Sequence, residues 1–247
     1  MNFFSLIKRK LIYKFKKKIS IDSDNIKFVT LDDLFHYYGS DKAEVFKLSN
    51  RPGHGFSKFY EKKLEKYKNI KINILEIGSY SGASAAAFVK YLPNSNVFCF
   101  DVNISNFKYK SKKIKVFDID IKNEQKVKNI LKDIFIDYKF TDFDLIIDDG
   151  SHNLSDILIS MKLFFKFIKK EGLYIIEDFK HPNYYHQNKN IDHILMDEFL
   201  KNLENKKLSL SSIISKDNQV ELMKSIKKIE IFKGNLKDSD ISFLTKS

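Results

Sequence analysis

Cysteine, arginine and long apolar runs are all but missing from this chain, and each absence closes off a class of protein. A single cysteine, Cys99, in 247 residues has nothing to pair with, which excludes a disulfide framework and a cysteine-based zinc site. It lies in the apolar run NVFCFDV and reads as an inert core thiol, and such thiol-poor usage fits a reducing cytoplasm. Arginine is confined to Arg9 and Arg51, although Lys and Arg together number 44 against 32 acids, for a formal net charge of +12. Readers of nucleic acid rely on the bidentate contacts of arginine. Lysine strewn along the chain reads instead as a solvated surface, and no nucleic-acid partner is expected. No apolar stretch approaches the roughly 20 residues of a membrane span, and there is no internal repeat or linker. The length allows one α/β domain with appendages.

What is present centres on Phe143–Phe179. FDLIIDDGSH and EGLYIIEDF are two short buried-strand patterns, Leu145–Ile147 and Leu173–Ile176, each ending in acidic residues. Between them Ile157, Leu158, Met161, Phe164, Phe165 and Ile168 recur at helical spacing, with Glu171-Gly172 expected to close the helix. This is a β-α-β unit whose strands run parallel. Ligands of open α/β sheets bind at the carboxyl ends of the strands, where neighbouring strands about 4.8 Å apart would crowd Asp149, Glu177, Asp178 and His152 onto one rim. Carboxylates that close repel unless a cation neutralises them, and oxygen donors suit a hard divalent ion.

Residues 1–20 hold seven basic residues and no acid. Phe4, Ile7, Leu11 and Phe15 fall on one helical face, while Lys8-Arg9-Lys10 interrupts any secretory-signal core. Two uses are open to this helix: lying on an anionic membrane surface, or packing on the domain or on a second subunit. Thr30 and Asp33 form a capping box. The loops GSDK (39–42) and RPGHG (51–55) follow, and then a helix over Phe56–Tyr67.

Ile70–Ile77 is the first strand of the sheet, and Gly78-Ser79-Tyr80-Ser81-Gly82 leads from it into a small-residue helix through Ala85–Tyr91. Its glycines allow a tight turn and close approach to a ligand at the helix N-terminus. The spacing is not GxGxxG, so the dinucleotide fingerprint is absent. Asn96–Val102 is a strand carrying Asp101, placed to accept ribose hydroxyls. Ile114–Asp120 is another, with Asp120 at its tip, followed by a helix over Glu124–Phe135. Beyond Phe179 come a polar-aromatic loop, KHPNYYHQNKN, and a helix over Ile191–Leu203 on which His193 is a surface residue. A hairpin of Ile226–Lys233 and Ile241–Lys246 ends the chain.

Glu76-Ile77-Gly78, Asp101, Asp120 and the terminal hairpin together resemble class I S-adenosylmethionine methyltransferases. DDGSH followed by GLYIIED resembles, more narrowly, the metal-dependent sugar O-methyltransferases of macrolide tailoring and the related cephalosporin-hydroxylase-like proteins. GSDK and HGFSKFYE are similar to that group's cofactor-covering region. The resemblance implies a Rossmann-like, doubly wound, mostly parallel seven-stranded α/β sheet with a C-terminal antiparallel hairpin. The resemblance covers roughly residues 35 to 247, and the chain is expected to divide into a basic amphipathic helix, 1–30, and a methyltransferase domain, 31–247. It also implies S-adenosyl-L-methionine and Mg²⁺ or another hard divalent cation as cofactors.

The same resemblance makes Asp149, Glu177 and Asp178 the metal ligands, and His152 the general base beside Asp149. Gly78, Ser79 and Gly82 would line the methionine moiety with Glu76 beneath, Asp101 would hold the ribose and Asp120 the adenine edge. Asp148 would orient the cofactor or a loop. Ile121 stands where related sequences carry a polar residue, which weakens the adenine contact. The expected acceptor is a sugar hydroxyl of a glycan, nucleotide-sugar or glycosylated metabolite. The alternatives are a non-sugar acceptor and a nicotinamide-dependent oxidoreductase. The expected partners are that acceptor, a membrane surface through residues 1–20 and a second copy of the chain, in the cytoplasm.

Overall fold

The computed structural model describes residues 3–26, 30–180 and 194–247, with side chains from residue 7 onward in the first helix. Phe4's side chain, the loop 181–190 and His193 lie outside the described residues, as does the expected helix start at Ile191. The strands of the main sheet are β1 (Ile72–Ile77), β2 (Ser95–Asp101), β3 (Ile114–Asp118), β4 (Phe143–Asp148), β5 (Ile168–Glu177), β6 (Ile226–Lys233) and β7 (Asp240–Lys246). The helices are α1 (Phe3–Phe15), α2 (Leu31–Tyr38), α3 (Ser57–Leu64), α4 (Ala83–Tyr91), α5 (Glu124–Tyr138), α6 (Leu154–Phe164), α7 (Met196–Glu204) and α8 (Lys216–Ser225). The seven strands form one sheet in the order β6-β7-β5-β4-β1-β2-β3, and β7 runs antiparallel to both β5 and β6. This is the α/β architecture expected.

Two compact units divide the chain, Met1–Asp120 and Ile121–Ser247. In the first, β1 pairs parallel with β2, and β2 with β3. All six residues of β1 are buried, which is why INILEI reads as a continuous apolar run broken by Asn73 and Glu76. Asn73 is satisfied by Asn96 Nδ2 at 3.1 Å. α2 opens on the expected cap, with Thr30 Oγ1 accepting from the Asp33 N–H at 3.1 Å. It closes on Gly39 in the left-handed region, where glycine avoids the Cβ penalty. Phe35 packs edge-on against Tyr60 of α3 and Phe88 of α4. The 40–57 loops are bound to each other through backbone bonds such as His54 N–H to Asp41 C=O at 2.7 Å. α1 lies on the segment after β2, with the Lys16 ammonium donating to the Ser105 and Asn106 carbonyls at 3.0 and 3.1 Å.

In the second unit, β4 and β5 pair parallel, and α6 joins them, so the central β-α-β unit is present. Its helix ends earlier than expected. α6 stops at Phe164, one tighter turn covers Phe165–Phe167, and Ile168 already belongs to β5. Glu171-Gly172 therefore does not close the helix. It lies in a bulge between the pairs Phe143–Ile168 and Leu145–Leu173, with Glu171 at φ +60°. A Cβ on Gly172 would stand 2.8 Å from the Asp144 carbonyl oxygen, so glycine lets the bulge fold back on β4. The other corrections are of ends: β3 stops at Asp118, short of Asp120, and α5 runs on to Tyr138. No helix among the described residues is long and apolar enough to cross a membrane.

Candidate active site

The acidic rim forms at the ends of β4 and β5. Asp148 pairs with Ile176, so the residues that follow the two strands emerge at the same edge. Asp149, His152 and Asp178 come together there, each offering a ligand atom, with all three atoms within 4.8 Å of one another. His152 Nε2 lies 3.7 Å from Asp149 Oδ1, close enough for an imidazolium to feel the carboxylate. Glu177 is outside this group: it is buried and still strand, paired across to Ile241 of β7. Neighbouring residues in a strand face opposite ways, and the chain turns only at Asp178.

That turn is a left-handed one. Asp178 has φ +50° and His152 φ +56°, conformations that cost non-glycine residues about 1 kcal/mol or more and that collect at functional sites. The loop carrying His152 is tied down locally. Ser151 Oγ donates to Asp156 Oδ2 at 2.5 Å, and Lys122 Nζ lies 2.9 Å from Asp156 Oδ1.

Behind the rim, Asp148 is buried. Burial pushes its carboxyl up to about 7, against the opposing pull of the Ser160 hydroxyl, His152 and the Gly150 N–H. Its Oδ2 has no hydrogen-bond partner among the described residues. Ser160 of α6 and Tyr174 of β5 stand beside it, their hydroxyls 2.7 Å apart. Sequence reasoning missed this pair. The signal was a serine and a tyrosine at positions whose periodicity is otherwise wholly apolar (ILISM and LYII), since buried hydroxyls need partners.

The other site residues belong to the Met1–Asp120 unit. Glu76 is fully buried at the end of β1 and accepts from the Ser84 hydroxyl. Gly78 turns the chain at φ +84° and donates to the Phe100 carbonyl at 2.8 Å. Ser79 is buried, its hydroxyl 3.2 Å from the Glu76 carbonyl. Asp101 ends β2, accepting from the Tyr80 N–H at 2.7 Å and the Asn103 N–H at 2.6 Å. Each carboxylate oxygen keeps a second acceptor site. Asp120 is exposed, past the end of β3. Gly82, at φ +75°, precedes α4, and a Cβ there would lie 2.4 Å from Phe107 Cζ. Its bareness thus makes room for a buried ring, a packing cause not foreseen beside the ligand-approach reading. Cys99 is buried, and burial pushes its thiol far above the ordinary range, as an inert core thiol requires.

No family model matches the sequence. Mycinamicin VI 2''-O-methyltransferase from Micromonospora griseorubida is 27% identical over 157 residues, which make up 57% of this chain and 37% of that protein. Demethylmacrocin O-methyltransferase from Streptomyces fradiae is 24% identical over 139 residues, 51% of this chain and 32% of that one. The chain thus spans about a third of the length of the curated relatives it matches. Among solved structures, MycE methyltransferase from the mycinamycin biosynthetic pathway, in complex with Mg and SAH, superposes with a TM-score of 0.66 at 19% identity. That match covers 90% of this chain and 55% of MycE. The chain is thus similar in sequence, over those aligned residues, to these two O-methyltransferases, and similar in fold to MycE over nearly its whole length.

Proposed function

We propose that the protein is an S-adenosylmethionine- and divalent-metal-dependent O-methyltransferase that acts on a hydroxyl of a sugar, in a glycan, nucleotide-sugar or glycosylated metabolite. The observation that carries this reading is the convergence of Asp149, His152 and Asp178 at one sheet edge. Asp149 and Asp178 offer carboxylate oxygens, the donors that a hard divalent ion such as Mg²⁺ takes, and His152 stands beside them as a base rather than a ligand. Glu177 joins the ligand set only on the strength of the family resemblance.

When bound, S-adenosylmethionine supplies an electrophilic methyl group, and the ion supplies the acidity that a sugar hydroxyl lacks at neutral pH. The chain's own part is to bind, orient and take up a proton. Asp149 and Asp178 hold the ion through carboxylate oxygens, and His152 accepts the hydroxyl proton, with Asp149 stabilising the imidazolium that results. Asp148 accepts from the Gly150 N–H and so steadies the loop between Asp149 and His152. In the other unit, Asp101 accepts the ribose hydroxyls on the acceptor sites left by Tyr80 and Asn103. Gly78, Ser79 and Gly82 present backbone to the methionine moiety over Glu76, and Asp120 faces the adenine edge. Residues 31–247 serve as the methyltransferase domain of a cytoplasmic protein. Residues 1–20 are left to make a membrane or subunit contact.

Calorimetry on the purified chain tests the reading. S-adenosylhomocysteine should bind, and Asp101→Ala should weaken it by about 10–100-fold, the worth of a hydrogen bond to a charged group. Asp149→Ala and Asp178→Ala should lose Mg²⁺ and keep the nucleoside. Binding of NAD with none of the homocysteine compound would point to an oxidoreductase and overturn the assignment.

A further inference from the structure

α1 is attached to its unit inside out. A surface helix ordinarily turns its apolar stripe to the core and its charges to water. Here Arg9 Nη1 donates to the Val102 carbonyl at 3.2 Å, Lys16 Nζ to the Ser105 and Asn106 carbonyls, and Lys10 Nζ reaches Asp118 at 3.5 Å. The inward side of the helix is thus held by cations on backbone oxygens and one carboxylate, beside the half-buried ring of Tyr13. Four apolar residues are left outside: Ile7 is 41% exposed, Leu11 50%, Ile12 43% and Phe15 76%. At about 100° per residue these four share an arc of roughly 140°. Lys8 lies within that arc and Lys14 at its edge, and both side chains are exposed, as is that of Lys17 just past the helix end.

We propose that α1 is a docking element for an anionic lipid surface, with Ile7, Leu11, Ile12 and Phe15 entering the headgroup boundary and Lys8, Lys14 and Lys17 on the phosphates. Charge selects this occupant. The first 20 residues carry seven basic residues and no acid, so a second copy laid on the same face would set cation against cation. An anionic bilayer offers both apolar depth and opposite charge. The inward cations fix which face is offered, and the inference is independent of the chemistry proposed above.

Co-sedimentation of the full chain with phosphatidylcholine vesicles, with and without phosphatidylglycerol, tests it. Binding should require the anionic lipid and fade as salt shortens the screening length. Leu11→Asp with Phe15→Asp should abolish it. Lys14→Gln with Lys17→Gln should weaken it by roughly thirtyfold, at about 1 kcal/mol for each basic residue. All four positions are solvent-facing, so the variants keep the fold. Three outcomes would each overturn the proposal: no binding to anionic vesicles, equal binding to neutral ones, or a dimer in light scattering that Leu11→Asp with Phe15→Asp turns into a monomer.

Discussion

Replacing Gly82 by alanine separates two reasons for a glycine at the start of α4. If the residue serves only to let a ligand approach, the unliganded protein should barely notice a methyl group. The structure says otherwise. The new Cβ would lie 2.4, 2.6 and 2.7 Å from three atoms of the Phe107 ring, at a backbone φ of +75°. The left-handed conformation costs an alanine about 1–2 kcal/mol, and forcing a methyl group into packed space costs about 1–3 kcal/mol more. Phe107 is fully buried and has little room to yield. The sum of about 2–5 kcal/mol corresponds to a fall of about 5–15 °C in Tm for a chain of this size.

Thermal unfolding without ligand reads the total, and a double-mutant cycle with Phe107→Ala divides it. The steric part should vanish once the ring is gone, so the double variant should be more stable than additivity allows by about 1–3 kcal/mol. The conformational part should remain. An unliganded Tm within about 1 °C of the parent, or a strictly additive cycle, would refute the packing argument and return Gly82 to a role in ligand approach alone.

Two further outcomes are expected at the other site. His152→Ala should retain Mn²⁺ binding, followed by paramagnetic resonance, while turnover falls by about 10²–10⁴, the usual worth of a general base. Loss of the ion instead would make His152 a ligand and not the base. Asp148 gives a pH signature in metal-free protein. Its carboxyl, raised by burial to about 7 from 3.8, binds more protons folded than unfolded between those values. The stability it favours is present at low pH and is lost as pH rises through about 7, by at most about 4 kcal/mol. Urea unfolding in EDTA should show about 2.7 kcal/mol of this loss between pH 5 and pH 8, and Asp148→Asn should flatten it.

The strands and their acidic ends were legible because burial writes itself into composition. INILEI, FDLIID and GLYIIE are parallel strands covered on both faces, where only apolar side chains are tolerated at length. A carboxylate breaking such a run therefore marks where the strand meets solvent or a ligand. Asp101, Asp148, Asp149 and Asp178 fell on strand ends for that reason. The end of α6 was not legible. Ile168 satisfies the helical period and the strand equally well, so periodicity could not say where one stopped. Gly172 looked like a helix stop, though its partner is the Asp144 carbonyl across a bulge. Short pairs such as Val45–Phe46 with Arg51–Pro52 are too brief to carry any period.

What sequence cannot encode locally is direction, and the two sites show it differently. At the rim, whether Glu177 or His152 stands beside Asp149 and Asp178 depends on where β5 turns, and that turn is the left-handed step at Asp178. The residue has no neighbour in sequence that demands such a step, so the chain alone offered the adjacent acids Glu177 and Asp178 and no sign of which way each would face. In α1 the apolar stripe was plain, yet either side of the helix could have faced the domain. Arg9, Lys10 and Lys16 decide the matter by finding carbonyls and Asp118 that lie some 90 to 110 residues away along the chain. A stripe that would otherwise have been core is thereby turned outward, and only the long-range contact reveals it.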